Sequence, residues 1–317
     1  MGFYHCVSRV VDRRKVFRAL EKERFVSLMR EYEVFCEVRV LTYAVMSNHF
    51  HILLQVPPRP DVLPSPEQLL EKLSGLTGHV DADLVRLRIQ TYRETNDAAG
   101  LESYMETFFR RMWDVSAFMK QVKQRFTQWY NAIHGRKGTL WEERFRSVLV
   151  EGMGVALAAV AAYIDLNAVR AGIVADPAAY RWCGYAEVAA GKRRAKDSLR
   201  VVAAALLNGR EVPLSEAMSS YSALLDIGNC AGRSLARDEA LKQLETNGRL
   251  ILRDYLRCRV RYFTDGLALG SRAFVENIFR QNRFHFGPRR RQGSRPVRGL
   301  AQLNLACLRD LRANVFG

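Results

Sequence analysis

Paired cysteines, long apolar runs and an excess of acidic residues are all missing from this 317-residue sequence. Its six cysteines are scattered and include no C-x-x-C pair that would indicate a zinc ribbon or a redox centre. We therefore expect reduced, mostly buried thiols, as in a cytosolic protein. No apolar run approaches the length of a membrane span, and the N-terminus has no charged leader before an apolar stretch. These absences predict a soluble intracellular protein.

Acidic residues are few compared with basic ones. The chain has 33 Asp and Glu against 49 Lys and Arg, a formal net charge of +16 at pH 7. Such a balance favours an anionic partner, and nucleic acid is the usual one. A basic protein without any such partner is the alternative, and the count leaves it open. The hydrophobic share of 48% is enough for a sizeable core.

Histidine is also scarce, yet two of the six histidines, His49 and His51, are separated by one residue. The segments on either side are rich in β-branched and aromatic residues, which predicts strands. Residues i and i+2 of a strand point to the same face, so the two imidazoles would lie side by side while Phe50 packs behind them. The pair is half of a metal site, or alternatively two polar residues on an exposed strand face.

The order of the periodic segments predicts an α+β fold, a ferredoxin-like antiparallel sheet with helices on one face. The predicted elements are a strand at 3–10, a helix at 19–32, strands at 34–45 and 49–56, a helix at 112–134, a strand within 140–150 and a helix at 155–169. We assign residues 1–190 to this domain. Prolines after Val56, followed by a more acidic composition, predict a helical insert at about 57–110.

We predict that residues 191–317 form a second, mainly helical and basic domain that binds DNA. A charge-rich linker at 192–196 precedes helices predicted within 201–207, 214–227, 238–244 and 250–260. Residues 280–298 then hold seven arginines and no acid. This segment is either a helical DNA-binding module with a flexible arm or a solvated tail, and we favour DNA binding because the chain is basic elsewhere as well.

A first basic segment runs from Arg110 to Arg146, with nine Lys and Arg and three acids among aromatic residues. Basic side chains for phosphates and aromatic faces for bases suit single-stranded or looped nucleic acid. An amphipathic helix with a solvated basic side is the alternative. The residues that we predict to contact DNA are Arg9, Arg13, Arg14, Lys120, Lys123, Arg125, Trp129, Arg136, Lys137, Arg144, Arg146, Arg289, Arg290 and Arg291.

Tyr163 and Asn167 lie four residues apart on the Ala-rich helix predicted at 155–169. Side chains at i and i+4 share a helix face, so a hydroxyl nucleophile and a carboxamide ligand would project together. Taken alone, a tyrosine at such a position is more often a core or rim residue. Tyr130 is a rival nucleophile, with His134 four residues later in place of an amide.

Three motifs in order give the chain a family resemblance: NHFH at 48–51, GTLWEERF at 138–145 and YIDLNAVRAG at 163–172. Together they resemble the single-tyrosine transposases of the His-hydrophobe-His superfamily, and most of all the transposase-like proteins associated with repetitive extragenic palindromes. YHCVSR at 4–9 is similar to the family's first strand, and WCGY at 182–185 to its closing motif. The resemblance covers residues 1 to about 190.

Two positions depart from the family pattern. The chain has Val10-Val11-Asp12 where the family has a Gly-Asn type of turn, and Ala168 where the family has proline. Neither departure touches a residue expected to be catalytic. They affect only the expected DNA contacts near the first turn.

The resemblance implies a mechanism. His49, His51 and Asn167 would hold one Mg²⁺ or Mn²⁺ ion, and Tyr163 would attack a phosphate of single-stranded or hairpin DNA to form a 5′-phosphotyrosine link. The implied role is DNA transposition, or processing of palindromic repeat hairpins, by a monomer or homodimer near the nucleoid of a bacterial cytoplasm.

A non-catalytic DNA- or RNA-binding regulator on the same scaffold is the competing hypothesis. A structural zinc site at the histidine pair is disfavoured because no cysteine lies nearby in the sequence to complete it. The presence of all four residues, His49, His51, Tyr163 and Asn167, favours the enzyme, since a protein that only binds has no need of the set.

Overall fold

The structure is a computed structural model that describes residues 1–76, 81–225 and 252–309. Its strands are β1 (Gly2–Arg9), β2 (Arg39–Val45), β3 (His49–Val56), β4 (Arg146–Val150), β5 (Ala268–Ser271), β6 (Arg295–Pro296) and β7 (Leu305–Cys307). Its α-helices are α1 (Ala19–Phe35), α2 (Pro66–Ser74), α3 (Ala82–Glu94), α4 (Ala98–Phe109), α5 (Val115–Ile133), α6 (Val155–Asp165), α7 (Asn167–Arg170), α8 (Gly184–Ala189), α9 (Arg193–Leu206), α10 (Leu214–Leu225), α11 (Leu252–Arg257), α12 (Arg261–Asp265) and α13 (Arg272–Gln281). The predicted α+β class is confirmed.

The strands form one sheet in the order β2-β3-β1-β4-β5-β7-β6. β1 and β4 are antiparallel, with Phe3 opposite Val150, whereas β4 and β5 are parallel. β7 is antiparallel to both of its neighbours. The predicted ferredoxin-like antiparallel arrangement therefore holds for β1 and β4, and the sheet continues beyond it with strands from the C-terminal part of the chain.

The chain divides into two compact units. The first, which we call the insert unit, contains Arg18–Arg39 and Gln55–Leu140. The second, which we call the sheet unit, contains Gly2–Phe17, Val40–Leu54 and the chain from Trp141 onwards. The boundary predicted at residue 190 does not separate these units, because the later strands β5, β6 and β7 hydrogen-bond into the same sheet as the early ones.

The insert unit is helical, as predicted for the segment at about 57–110. Within it α1 packs against α5, and Phe25 meets Phe126 edge to face with ring centres 5.5 Å apart. The side chain of Asp114 caps α5 by accepting a hydrogen bond from the amide of Ala117 (2.6 Å). The buried stripe of α5 includes Lys123, so this residue is turned away from solvent.

The core of the sheet unit is built on α6. This helix is alanine-rich, and all its residues from Ala156 to Asp165 are buried. The small side chains allow close packing against the strands and against α9, α10 and α11. The predicted end of the helix is confirmed: Gly172 has φ +67°, a conformation that glycine adopts without steric cost. A short break at Leu166 separates α6 from α7.

Several predictions for the C-terminal part were wrong. Residues 193–196 belong to α9 and are not a linker. The arginine-rich segment 280–298 is not a flexible arm, since it includes β6 and a 3-10 turn. The strands β5, β6 and β7 are only two to four residues long, which is too short for periodicity to reveal. The helix predicted at 238–244 lies outside the described residues.

The prediction of buried thiols is confirmed for the five cysteines in the described part of the chain, none of which is in a disulfide. Burial raises the pKa of the Cys6 and Cys183 thiols well above their usual range. Within residues 1–76, 81–225 and 252–309, none of the helices has the length and apolarity needed to cross a membrane.

One buried carboxylate, Asp165, holds the end of α6 in place. It accepts hydrogen bonds from the Thr42 hydroxyl (2.5 Å), the Tyr221 hydroxyl (2.6 Å) and the Tyr185 amide (3.2 Å). Burial raises the pKa of Asp165 to about 6, and these hydrogen bonds oppose the rise. The network ties α6 to β2, α8 and α10 at the point where the chain turns into α7.

We expect Asp165→Ala to lower the free energy of unfolding by about 3 kcal/mol, because it leaves buried donors without an acceptor. Asp165→Asn keeps one acceptor oxygen and the same shape, so its loss is expected to be at most half as large. Urea denaturation followed by circular dichroism measures both. Equal losses in the two variants would show that the hydrogen bonds to this carboxylate do not stabilise the fold.

Candidate active site

A cavity of about 320 Å³ opens in the sheet unit. It lies where the ends of β1 and β3 meet α6, α7 and the segment around α12. Its lining residues are Arg9, Arg13, Asn48, His49, His51, Tyr163, Asn167, Arg170, Ala171, Arg259 and Thr264. Residues from three distant parts of the sequence thus share one polar, positively charged pocket.

The strand β3 presents its two histidines as the alternation predicted. His49 and His51 line the cavity with ring centres 5.2 Å apart. Phe50 points the other way and is fully buried, where its ring meets Trp141 edge to face at 5.6 Å. Because Phe50 anchors the strand from behind, the two imidazoles are held toward the pocket.

A third histidine, His5 of β1, fixes the orientation of His51. Nδ1 of His5 lies 2.6 Å from the carbonyl oxygen of Phe263, and Nε2 of His5 lies 2.9 Å from Nδ1 of His51. A carbonyl only accepts, so Nδ1 of His5 carries the proton and its Nε2 accepts from Nδ1–H of His51. This assignment leaves Nε2 of His51 unprotonated, with its lone pair available to a ligand.

His49 has the same tautomer for a different reason. Its Nδ1 lies 2.8 Å from Oδ1 of Asn48, so it donates to the amide oxygen and its Nε2 lone pair is left available. The Asn48 amide nitrogen in turn donates to the carbonyl of Arg13 (3.1 Å), which fixes which end of the amide faces the histidine.

The three histidines are neutral at pH 7. Burial, together with a smaller effect of nearby arginines, lowers the pKa of both His5 and His49 to about 4. Burial and the neighbouring imidazoles hold the pKa of His51 well below its usual range. A neutral imidazole is the form that binds a metal ion, so the shifts of His49 and His51 favour ligation over protonation. His5 has both ring nitrogens in hydrogen bonds.

Tyr163 sits at the end of α6 with its ring surrounded by site residues. The ring centre lies 6.2 Å from that of His51 and 5.1 Å from that of Phe263. The guanidinium carbon of Arg170 lies 3.9 Å from the ring centre, a cation–π contact. Asn167 is mostly buried and lines the same cavity. The expectation that Tyr163 and Asn167 project together is met.

Four arginines, Arg9, Arg13, Arg170 and Arg259, give the cavity its charge. Nη1 of Arg170 donates to the carbonyl of Leu256 (3.0 Å), which holds its guanidinium over Tyr163. Burial lowers the pKa of Arg170, and mutual repulsion contributes to the same shift in Arg9. So many cations around one pocket are stabilised by an anion, and phosphate and carboxylate are the anions whose geometry the guanidinium matches.

The donors in the cavity that could hold a metal ion are two imidazoles and one carboxamide. In the part of the chain that the structure describes, no three His, Cys, Asp or Glu side chains are grouped to hold an ion. Asn167 lines the same cavity as the histidine pair and offers an amide oxygen as a third donor. Two Nε2 lone pairs and one amide oxygen suit a divalent ion that keeps open positions.

Residues 2–77 match the family model described as "Transposase IS200 like". This match covers about a quarter of the 317-residue chain. The matched residues include the His49–His51 pair and His5, and the match ends inside the helical insert. Tyr163 and Asn167 lie beyond the matched residues, and it is the cavity that brings them together with the histidine pair.

Two further comparisons add little. A solved structure, "Structure of the REP associates tyrosine transposase bound to a REP hairpin", aligns with 60% of this chain and 81% of its own, at 14% sequence identity and a TM-score of 0.38. A comparison with functionally curated proteins finds no match.

Only some of the predicted DNA-contacting residues are near the cavity that holds Tyr163. Arg9 and Arg13 line it, and Arg14 follows them as an exposed side chain. In the insert unit, Lys120 and Lys137 are exposed, while Arg125, Trp129 and Arg136 are partly buried. Lys123 was wrongly predicted to contact DNA, because it lies on the buried face of α5.

The remaining predicted contacts are in the sheet unit. Arg144 is exposed, and Arg146 forms ion pairs with Glu143 (2.6 Å) and Asp265 (3.1 Å). Arg289 and Arg291 are exposed, but the guanidinium of Arg290 is used inside the protein, stacked on Phe279 and Phe286. Arg290 was therefore wrongly grouped with its neighbours.

The rival nucleophile Tyr130 is not in the cavity. It belongs to the insert unit, where its ring stacks on His134 at 4.1 Å, and His134 faces Glu21 at 3.1 Å. The residues that sequence reasoning missed are His5, Arg170, Arg259, Phe263 and Thr264. His5 and Arg170 had a signal, because they stand in the YHCVSR and YIDLNAVRAG motifs, whereas Arg259, Phe263 and Thr264 join the site only through folding.

We expect His5→Ala to lower the free energy of unfolding by about 3 kcal/mol, because the carbonyl of Phe263 and Nδ1–H of His51 both lose a buried partner. His285→Ala is the matched control, since His285 is exposed, and its change is expected to stay within about 0.5 kcal/mol. Urea unfolding compares the two. Similar midpoints for both variants would contradict the described hydrogen-bond chain.

Proposed function

We propose that this protein cleaves and rejoins single-stranded or hairpin DNA through a covalent 5′-phosphotyrosine intermediate on Tyr163. One observation supports this most: Tyr163, Asn167 and the His49–His51 pair line one cavity with four arginines, although more than a hundred residues separate His51 from Tyr163. A protein that only binds DNA needs the arginines but not the other four residues. The biological role proposed is transposition or the processing of palindromic repeat hairpins.

In the proposed reaction the hydroxyl oxygen of Tyr163 forms a bond to the phosphorus, and the bond from phosphorus to the 3′ oxygen breaks. The proton lost by the tyrosine balances the proton gained by the 3′ oxygen, which leaves as a hydroxyl. The new phosphotyrosine retains the energy of a phosphodiester, so a free 3′-hydroxyl can reverse the step without a nucleotide cofactor. The same site would thus cut and rejoin.

The protein's contribution would be largely orientation and charge. Arg170, stacked on the tyrosine ring at 3.9 Å, limits the directions in which the hydroxyl can point. Arg9, Arg13 and Arg259 line the cavity and would hold the phosphate and the negative charge that grows on it. Positioning of this kind is the main requirement of phosphoryl transfer.

A divalent ion bound here would act as a Lewis acid that polarises the scissile phosphate. His49 and His51 would bind it through Nε2, since both Nδ1 atoms are used in hydrogen bonds. Asn167 would contribute its amide oxygen. Mg²⁺ and Mn²⁺ are the ions we propose, and the two imidazole ligands favour Mn²⁺ because Mg²⁺ prefers oxygen ligands.

A DNA- or RNA-binding regulator without catalysis is the second candidate. The net charge of +16 and the exposed lysines Lys120 and Lys137 would serve binding alone equally well. The two candidates differ in whether Tyr163 forms a covalent bond with DNA.

For the nucleophile, we expect wild-type protein incubated with Mn²⁺ and a single-stranded hairpin oligonucleotide to give a covalent adduct on a denaturing gel. Tyr163→Phe removes the attacking oxygen and should abolish the adduct. Tyr130→Phe is the matched control and should retain it. An adduct that survives in Tyr163→Phe, or no adduct in wild type, would rule out the proposed chemistry and favour the regulator.

For the metal site, titration of Mn²⁺ followed by electron paramagnetic resonance should give an affinity at least tenfold weaker in His51→Ala and Asn167→Ala than in wild type. Asn167→Asp keeps the oxygen ligand and adds a charge, so it should bind at least as tightly as wild type. His134→Ala, on the insert unit, is the control and should be unchanged. Unchanged affinity in all variants would place the ion elsewhere.

A further inference from the structure

Two arginine side chains hold the loop after α13 in its conformation by donating hydrogen bonds to its backbone carbonyls. Nη1 of Arg283 donates to the carbonyls of Phe286 (2.9 Å) and Gly287 (3.3 Å), and its Nη2 donates to that of Pro288 (3.0 Å). One guanidinium therefore fixes the course of the backbone over six residues. We call residues 282–293 the post-α13 loop.

Arg290 fixes the other half of the post-α13 loop. Its guanidinium lies 5.4 Å from the ring centre of Phe279 and 4.9 Å from that of Phe286. It also donates to the carbonyls of Gln292, Gly293 and Leu308. These contacts make the loop a defined surface, unlike the flexible arm that composition predicts.

The carboxylate of Glu276, the acidic residue of α13, is already bound by backbone amides. The carboxylate of Glu276 accepts from the amides of Gly293 (3.1 Å) and Ser294 (3.1 Å). From residue 277 to residue 309 the sequence contains no Asp or Glu. The positive charge of this surface is therefore not offset by carboxylates of its own segment.

The side chains that the post-α13 loop and the end of α13 expose to solvent are aromatic and basic. Phe284 is 78% exposed, and the ring of His285, also exposed, packs against it at a tilt of 42° with ring centres 4.0 Å apart. The side chains of Arg280, Arg289 and Arg291 are exposed as well. None of these five residues lines the cavity that holds Tyr163.

An exposed phenylalanine on a rigid, basic loop gains most from a partner that offers both flat apolar faces and negative charge. Unpaired nucleotides provide both, because their bases stack on aromatic rings and their phosphates pair with arginine. Paired DNA hides its base faces inside the helix. A lipid surface also combines apolar and anionic groups, but membrane-binding segments insert a broad apolar face and not one ring.

We infer that Phe284, His285, Arg280, Arg289 and Arg291 form a second contact for single-stranded DNA, distinct from the cavity. This inference rests on the proposed function, because we take the DNA bound here to be the unpaired flank of the substrate. One or two bases would stack on the Phe284–His285 pair while the arginines bind the adjoining phosphates.

The test is fluorescence anisotropy with the full-length protein and two labelled DNA hairpins, one blunt and one with a single-stranded tail. Phe284→Ala should weaken binding of the tailed hairpin about tenfold and leave the blunt hairpin unchanged. Phe284→Trp should bind the tail as tightly as wild type, with indole fluorescence quenched on binding. Val62→Ala, which alters a similarly exposed apolar residue on the insert unit, is the control.

Salt dependence tests the arginines. Each phosphate contact on a single strand contributes about 0.7 to the slope of log affinity against log salt concentration. Replacing Arg289 and Arg291 together by Ala should therefore reduce the magnitude of this slope by about 1.4 for the tailed hairpin. Equal affinity of wild type and Phe284→Ala for the tail would overturn the contact. So would an equal loss on blunt and tailed hairpins, or Phe284-dependent binding to anionic vesicles in place of the tail.

The covalent adduct separates this inference from the proposed function. If wild type forms the adduct while Phe284→Ala binds the tail normally, the contact is wrong and the chemistry stands. If no adduct forms but tail binding still depends on Phe284, the chemistry is wrong and the contact stands. Melting temperatures of Phe284→Ala and wild type should agree, since the side chain is exposed.

Discussion

The hydrogen bond between His5 and His51 is the contact on which the arrangement of the candidate site depends. It joins the neighbouring strands β1 and β3, and through the carbonyl of Phe263 it joins them to α12. A chain of two neutral imidazoles ending on a carbonyl has only one consistent placement of protons. The positions of the protons in this buried hydrogen-bond chain therefore leave Nε2 of His51 as the nitrogen that is available to the cavity.

The same cavity concentrates positive charge without an internal carboxylate among its lining residues. The cost of this arrangement is visible in the lowered pKa values of Arg9 and Arg170, which burial and like charges produce. A pocket with these properties is less favourable empty than filled by an anion. Arg170 also restrains Tyr163, so one residue links the charge of the pocket to the position of the proposed nucleophile.

The C-terminal part of the chain completes the site as well as extending the sheet. Phe263, Thr264 and Arg259 surround or line the pocket, and the carbonyl of Leu256 positions Arg170. A site that depends on residues on both sides of a long helical insert and on a late segment can form only when the sheet unit has folded as a whole. The family match, which ends at residue 77, covers only the first portion of it.

Local sequence patterns were enough to predict the α+β class, the helical insert, the paired histidines on one strand face and the common direction of Tyr163 and Asn167. These features follow from local periodicity and spacing, which a strand or helix converts directly into geometry. The folded structure was needed to show that His5, Arg170, Arg259 and Phe263 join them, because these residues meet through contacts between distant segments. It also decided which basic residues face solvent: Lys123 and Arg290 are used inside the protein, since the identity of a side chain does not say which face of a helix or loop it occupies.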